Sequence, residues 1–359
     1  MSMHAAATMT GARGRRGARR GTARGIRSAA LTIGAIAVAA LALVPFVRWA
    51  LVDARWTGTA HDCRAEGVGA CWAFVGHKLP FILFGLYPAS ERWRPALATI
   101  VIIALVIATM LPIFWRRHLV MAWIVALGVF LWLMGGGGPL GRVATQDWGG
   151  LPVTIMLTVV GLGMGLPIGV LLALGRRSQL MLPRLTATAI VEIVRGVPLV
   201  AVLYLSVLVV PLALSTGVAI DKLLLAQAGV AVFAGAYLAE AVRGGLQMVP
   251  AQRMDSARAL GLTWSQSMRL VVLPEALRIV IPAFISIAVG FFQDTSLIVI
   301  IGLFDLLNTA RLAAQDPAWL GFHTEAYVFV GVVYFLGSAL VSRYGSWLEG
   351  RMATSRRRA

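Results

Sequence analysis

Apolar runs of roughly twenty residues, long enough to cross a bilayer's hydrocarbon core as a helix, recur along most of this 359-residue chain. Backbone N–H and C=O groups find no water in lipid, so continuous helices must satisfy them internally. This predicts an all-α polytopic membrane protein. Composition agrees: 59% of residues are hydrophobic and 13% charged, and a mean hydropathy of +0.82 excludes a soluble globule. The formal charge of +17 could suggest nucleic acid, but the arginines gather in the tails and in short turns between apolar runs. That is the positive-inside pattern, which sets orientation in the bilayer, so the expected partner is lipid rather than nucleic acid.

In chain order, residues 1–27 form a basic tail, expected in the cytosol against anionic headgroups. Ser28–Ala50 is long enough to span and lacks a convincing cleavage site, which predicts an uncleaved first helix. Cys63 and Cys71 lie close together in the polar segment that follows; they suit a small disulfide loop if that segment faces an oxidising periplasm. Cys71–Pro88 is short and interrupted, which favours an interfacial or re-entrant segment over a span. Spans are expected at Pro95–Trp115 and His118–Met134, with Arg116 and Arg117 turning inside between them. Residues 28–134 thus read as a membrane extension of about three spans. Gly135–Gly150 reads as a glycine-rich periplasmic joint, and residues 151–347 as a core. Five core spans are expected: Leu151–Gly175, Ala187–Leu214, Leu223–Val242, Leu277–Ile301 and Ala326–Val341. A basic tail, 348–359, follows. Eight spans with both termini cytoplasmic satisfy every basic cluster except Arg92 and Arg94.

Ionisable groups inside spans call for a reason. Glu192 with Arg195, and Glu240 with Arg243, stand at helical i,i+3 spacing and suit structural ion pairs. Asp294 lies well inside an apolar run, beside Gln293, Thr295 and Ser296, where a polar cluster suits either a transport pathway or a helix–helix contact. Gly161, Gly165 and Gly169 repeat at four-residue spacing, a stripe that lets a second helix approach closely, within one subunit or between two. No phosphate loop, no zincin motif and no nucleophile elbow occurs, and the five histidines are scattered. The chain is therefore expected to be no enzyme, to hold no metal and to bind no cofactor itself.

Residues 244–274 make the one long polar interruption in the second half. Pro250 suits a helix start. Asp255 and Arg258 are spaced to meet, and Gly261 is a natural left-handed stop. Thr263 and Gln266 form a capping-box pattern that opens a second short helix, expected to end before Pro274. Helix, glycine corner and helix together suit a docking knob for another protein's cleft. The sequence Asp255-Ser256-Ala257, three residues, Gly261, nine residues, then Val271-Val272-Leu273-Pro274 resembles the EAA loop of ABC-importer permeases, with Asp for the usual Glu, Ser for Ala and Val for Ile. In that family the loop is received by a cytoplasmic ATPase.

The resemblance extends further. E-x-x-R-G-x-P-L at Glu192–Leu199, Y-L-A-E-x-x-R-G-G-L-Q at Tyr237–Gln247 and D-T-S-L at Asp294–Leu297 are similar to the polar amino-acid branch of those permeases. There a Lys commonly precedes D-T-S-L near the pathway; here Gln293 stands in its place. CWAF at Cys71–Phe74, IIGLFDLL at Ile300–Leu307, DPAWLGF at Asp316–Phe322 and SRY-x-x-WLE at Ser342–Glu349 resemble the M-type permease subunit of the general L-amino-acid transporter. The resemblance implies a five-helix type I core in the bacterial inner membrane. It also implies ATPase subunits carrying ATP and Mg, a second related permease, and a periplasmic amino-acid-binding protein. Its cargo would be L-amino acids; another small polar solute such as an opine is the nearest alternative, and an ion-coupled transporter using Asp294 the more distant one.

Overall fold

The computed structural model describes residues 31–115, 118–213 and 220–358, with side chains as far as residue 351. The basic N-terminal tail and the Arg116-Arg117 turn lie outside these. The chain forms two compact units, one ending at Gly76 and the other starting at His77.

In the first unit, helix α1 (Leu31–Val52) is long and apolar enough to cross a membrane. The chain then folds back on the end of that helix. Ala70 N–H donates to Trp49 C=O at 2.8 Å and Gly69 N–H to Asp53 C=O at 2.7 Å, while Trp72 Nε1 donates to Ala50 C=O at 2.7 Å. Cys63 and Cys71 are joined as a disulfide that closes the returning loop. Helix α2 (Trp72–Phe84), within which the first unit ends and the second begins, is apolar but, at 13 residues, too short to span, as expected for this segment.

The second unit opens with helices α3 (Trp93–Met110) and α4 (His118–Gly135), packed side by side. Arg94, one of the two charges that spoiled the expected orientation, is fully buried. Its guanidinium donates to Leu133 C=O at 2.8 Å and to Gly141 C=O at 2.9 Å, and it pairs with Glu91. This cation satisfies backbone carbonyls where α4 ends and so clamps that end of the helix. The glycine stretch after α4 is a bonded turn, with Val143 N–H reaching back to Gly135 C=O at 3.0 Å. The apolar core is continuous across it, from Ile102 and Phe130 on α3 and α4 to Leu157 on the next helix.

Helices α5 (Leu151–Arg176) and α8 (Lys222–Met248) are the central pair. The glycine stripe of α5 lies against α8. A Cβ added at Gly165 would stand 2.8 Å from Ala234 Cβ, and one at Gly169 2.8 Å from Leu238 Cβ. The stripe serves packing within one chain.

Between them, the span expected at Ala187–Leu214 is not one rod, and Leu214 itself lies outside the described residues. It is a pair, α6 (Met181–Gly196) and α7 (Leu199–Ala213), bent by 111°. Pro198 lacks an N–H and forces the preceding residue out of the helical region; Val197 is extended at φ −108° and ψ 137°.

After α8 come the short helix α9 (Ala251–Ala259) and a longer helical stretch, α10, over residues 264–279. The second helix of the loop was expected to stop before Pro274. It passes through it instead, because Met268–Val272 widens to a π-turn just ahead of the proline, where the missing N–H is tolerated. The break falls at Val280. The next span therefore starts at Ile281 rather than Leu277, as α11 (Ile281–Asp294) continued by a 3-10 turn, Thr295–Ile301. Strands β1 (Gly149–Gly150) and β2 (Phe304–Asp305) pair in parallel ahead of helix α12 (Leu306–Ala313). The last helix, α13 (His323–Arg358), runs past the expected Ala326–Val341 and through most of the expected tail. Among the described residues, seven helices are long and apolar enough to span, or eight with the bent pair counted as one.

Candidate functional site

The polar loop is built from two capped helices. Ala257, Arg258 and Gly261 make a helix stop in which Gly261 N–H donates to Arg258 C=O at 2.9 Å and Leu262 N–H to Ala257 C=O at 3.2 Å. This paired arrangement needs a left-handed residue at the corner, and Gly261 has φ +84°. Thr263 and Gln266 then form the reciprocal capping box. Asp255 and Arg258 do not pair; among the described residues the loop's ion pair joins Arg253 to Glu275 at 3.3 Å, across to α10. Met268, Val272 and Ala276 are buried against Ala173 of α5 and Val242 and Leu246 of α8. The opposite side is open: Asp255, Ser256, Gly261 and Pro274 are exposed, as are the large apolar side chains of Leu260, Trp264 and Leu270. Ala257 is buried and Leu273 half-buried. The loop is thus pinned on one face and bare on the other.

Beside it, the ends of α5, α6 and α8 meet in a charge cluster. Glu240 accepts from Arg243 Nε at 3.0 Å and from Arg176 at 2.9 Å, with Arg195 at 3.8 Å. Glu192 pairs with Arg176 at 2.8 Å, not with Arg195 as the spacing suggested. The expectation of i,i+3 pairing misses this because Arg176 lies on another helix. Arg195 turns toward α8, where its guanidinium also stands 5.5 Å from the Tyr237 ring centroid.

Asp294 ends α11 and is half-buried, and its carboxylate has no hydrogen-bond or ion-pair partner among the described residues. It lines a cavity of about 10 Å³, barely the room one water needs, with Leu157, Leu199, Val230, Phe291, Thr295 and Ile298. Gln293 faces away, donating to Ser338 Oγ at 3.1 Å, and Ser296 Oγ donates to Gln293 C=O at 2.9 Å. So of the four clustered residues, Asp294 and Thr295 reach the cavity.

Thr295 also begins a network that sequence reasoning did not assemble. Its Oγ1 lies 3.2 Å from Tyr334 Oη. Tyr334 donates to Asp305, whose fully buried carboxylate caps α12 by accepting from Asn308 N–H at 2.9 Å and Leu307 N–H at 3.1 Å. Leu306 N–H in turn donates to Thr154 Oγ1 of α5 at 3.1 Å. Burial pushes the Asp305 carboxyl above its ordinary range, against the pull of those N–H donors. The Phe-Asp ahead of an apolar helix was the available signal, an Asp N-cap.

Residues 165–354, more than half of the chain, match the family described as "Binding-protein-dependent transport system inner membrane component". The chain belongs to that family. Its sequence is similar to the inner membrane amino-acid ABC transporter permease protein YhdY of Escherichia coli K12, 42% identical over 91% of this chain and 89% of the relative. The glutamate/aspartate import permease protein GltK of Escherichia coli O6:H1 is 34% identical over 57% of this chain and 92% of itself. Among solved structures, an amino acid ABC transporter chain with histidines is 27% identical, with a TM-score of 0.49 over 56% of this chain and 91% of that one. This inner membrane component is accordingly a multi-pass ABC permease whose membrane-length helices carry the transport fold.

Proposed function

We propose that this permease is the pathway subunit of an ATP-driven importer, of the M type, that takes L-amino acids from the periplasm by alternating access. The observation that carries this is the bare outer face of the loop, Leu260, Trp264 and Leu270, on a frame pinned to α5 and α8. An exposed apolar patch of that kind suits a protein partner. In this reading a separate ATPase subunit receives Asp255–Pro274 and holds ATP and Mg. A second, related permease completes the pathway, and a periplasmic binding protein delivers the solute. Both termini are cytoplasmic. Residues 28–134 are an added extension and 135–150 the joint to the core; GltK, which aligns along 92% of itself with only 57% of this chain, supports a separable core. Asp294 meets the ammonium group of the solute and Thr295 stands beside it.

The test is a mild-detergent pull-down from the native membrane, followed by mass spectrometry, together with ATP-dependent uptake of labelled amino acids. A P-loop ATPase and a second permease should co-purify. A Cβ at Gly261 would meet nothing within 4 Å, so the demand there is its positive φ rather than space. Gly261→Asn, which tolerates a left-handed backbone, should keep partners and uptake; Gly261→Val should lose both while still inserting. Competition by an opine but not by amino acids would change the cargo only. A chain that purifies alone and drives uptake on an ion gradient without ATP would overturn the proposal in favour of an ion-coupled carrier, a reading that the unpaired Asp294 carboxylate supports.

A further inference from the structure

Gln227 lies on α8, one helical turn before Val230, and is 6% exposed. Both polar atoms of its side-chain amide, Nε2 and Oε1, are buried and make no hydrogen bond. Leaving buried polar groups unpaired costs stability, whereas an apolar side chain of the same shape would cost little or nothing. Something other than the packing of this state must favour an amide there. The slot it occupies is shaped for it: a Cβ on Gly161 of α5 would lie 3.3 Å from Gln227 Nε2 and 2.6 Å from Val230 Cγ1. Val230 and Leu157, one turn from Gln227 and from Gly161 respectively, both line the cavity that holds Asp294. Residues three apart share a helix face, so Gln227 stands on the face of α8 that walls this cavity. A glutamine side chain is about as long as one helical turn, so its amide can reach the level of Val230.

We infer that Gln227 is a solute-contacting residue of the pathway. When the cavity widens, its amide turns out of the slot beside Gly161 and Nε2 donates to the carboxylate of the passing amino acid, at the other end of the solute from Asp294. The amide is unpaired in its slot because its partner is the cargo. This rests on the amino-acid importer reading above and adds to it a polar contact on the opposite wall.

The decisive variant is Gln227→Met, which keeps length and volume and deletes both polar atoms. It is assayed in the complete transporter, in membrane vesicles supplied with ATP and the binding protein, with a panel of radiolabelled L-amino acids; thermal unfolding of the purified complex is measured in parallel. The inference expects unfolding at the wild-type temperature or above it, with uptake reduced about tenfold, the scale of one hydrogen bond to a charged group. Gln227→Asn, which keeps a shorter amide, should recover part of the rate. Wild-type uptake by Gln227→Met overturns the inference and leaves the importer reading standing. A clear drop in its unfolding temperature also overturns it, because the amide is then satisfied by structure or by a trapped water. No ATP-driven uptake of any amino acid by the wild type overturns the importer reading, and this inference with it.

Discussion

Tyr334 donates its phenolic hydrogen to the buried carboxylate of Asp305 at 3.2 Å, and so ties the last long helix to the cap of α12. The Tyr334 ring is held independently against Phe292, with centroids 5.0 Å apart. Tyr334→Phe therefore keeps the ring packing and removes the hydroxyl's hydrogen bonds, to Asp305 and to Thr295 Oγ1 at 3.2 Å. Asp305 would keep two N–H donors but lose its only hydroxyl donor, and the expected cost is about 1–3 kcal/mol. Thermal unfolding in detergent measures it; an unchanged midpoint would mean that the helix cap alone satisfies the carboxylate.

Two aspartates outside the spans should respond to pH in opposite directions. Asp305 has a raised pKa because burial disfavours its charge, so the folded chain binds that proton more tightly than the unfolded one. Its contribution is full below the ordinary carboxylate range and declines as pH rises through the raised value. Asp316 is lowered, first by the hydrogen bond from Lys78 Nζ at 2.6 Å. Its contribution is present above the ordinary range and lost as pH falls through the lowered value. Unfolding midpoints of Asp305→Asn and Asp316→Asn, each subtracted from wild type across mildly acidic pH, should change with opposite slopes.

The glycine stripe of α5 sets a steric limit that a paired substitution exposes. Gly165→Ala drives its methyl to 2.8 Å from Ala234 Cβ and 3.2 Å from Ala231 C=O, whereas Gly163→Ala meets nothing within 4 Å. Overpacking of this kind costs about 1–3 kcal/mol. Gly165→Ala should lower the unfolding temperature, and Gly163→Ala should leave it unchanged or raise it slightly, since alanine favours helix over glycine.

Glu240 and Glu192 make unequal use of the arginines around them. Glu240, whose side chain is 26% exposed, holds three; Glu192, at 61%, holds one. Exposed pairs contribute about 0–1 kcal/mol. Glu192→Gln should therefore be nearly silent in an unfolding assay. Glu240→Gln leaves three guanidiniums facing each other at the junction of three helices and should cost about 1–3 kcal/mol, the scale for hydrogen bonds to charged groups.

What the sequence made readable was local. The stop at Gly261 and the Thr263–Gln266 capping box depend on residues three to five apart, and both form as expected. The long apolar runs gave the spans for the same reason, since lipid imposes the helix whatever the neighbours. What stayed hidden depends on residues brought together from afar. Arg94 looked like a misplaced charge because the carbonyls that consume it, at Leu133 and Gly141, are some forty residues away. Glu192 found Arg176 across a helix boundary. The Tyr334–Asp305 bond and the Gln227 slot likewise join separate elements. The bend at Pro198 was a local signal in the sequence, although the apolar run around it read as one span.

Because α10 passes through Pro274 instead of ending there, residues 264–279 form one stiff rod of roughly 24 Å at 1.5 Å per residue. Its exposed tip is Trp264, and it is gripped along its length by Met268, Val272 and Ala276. A rod held at three successive turns stays in register with the helices that hold it, and the chain changes direction only beyond it, at Val280, from which α11 leads on to Asp294. The interruption at Val280 leaves the angle between this rod and α11, whose end carries Asp294 into the cavity wall, unconstrained by a continuous helical hydrogen-bond ladder.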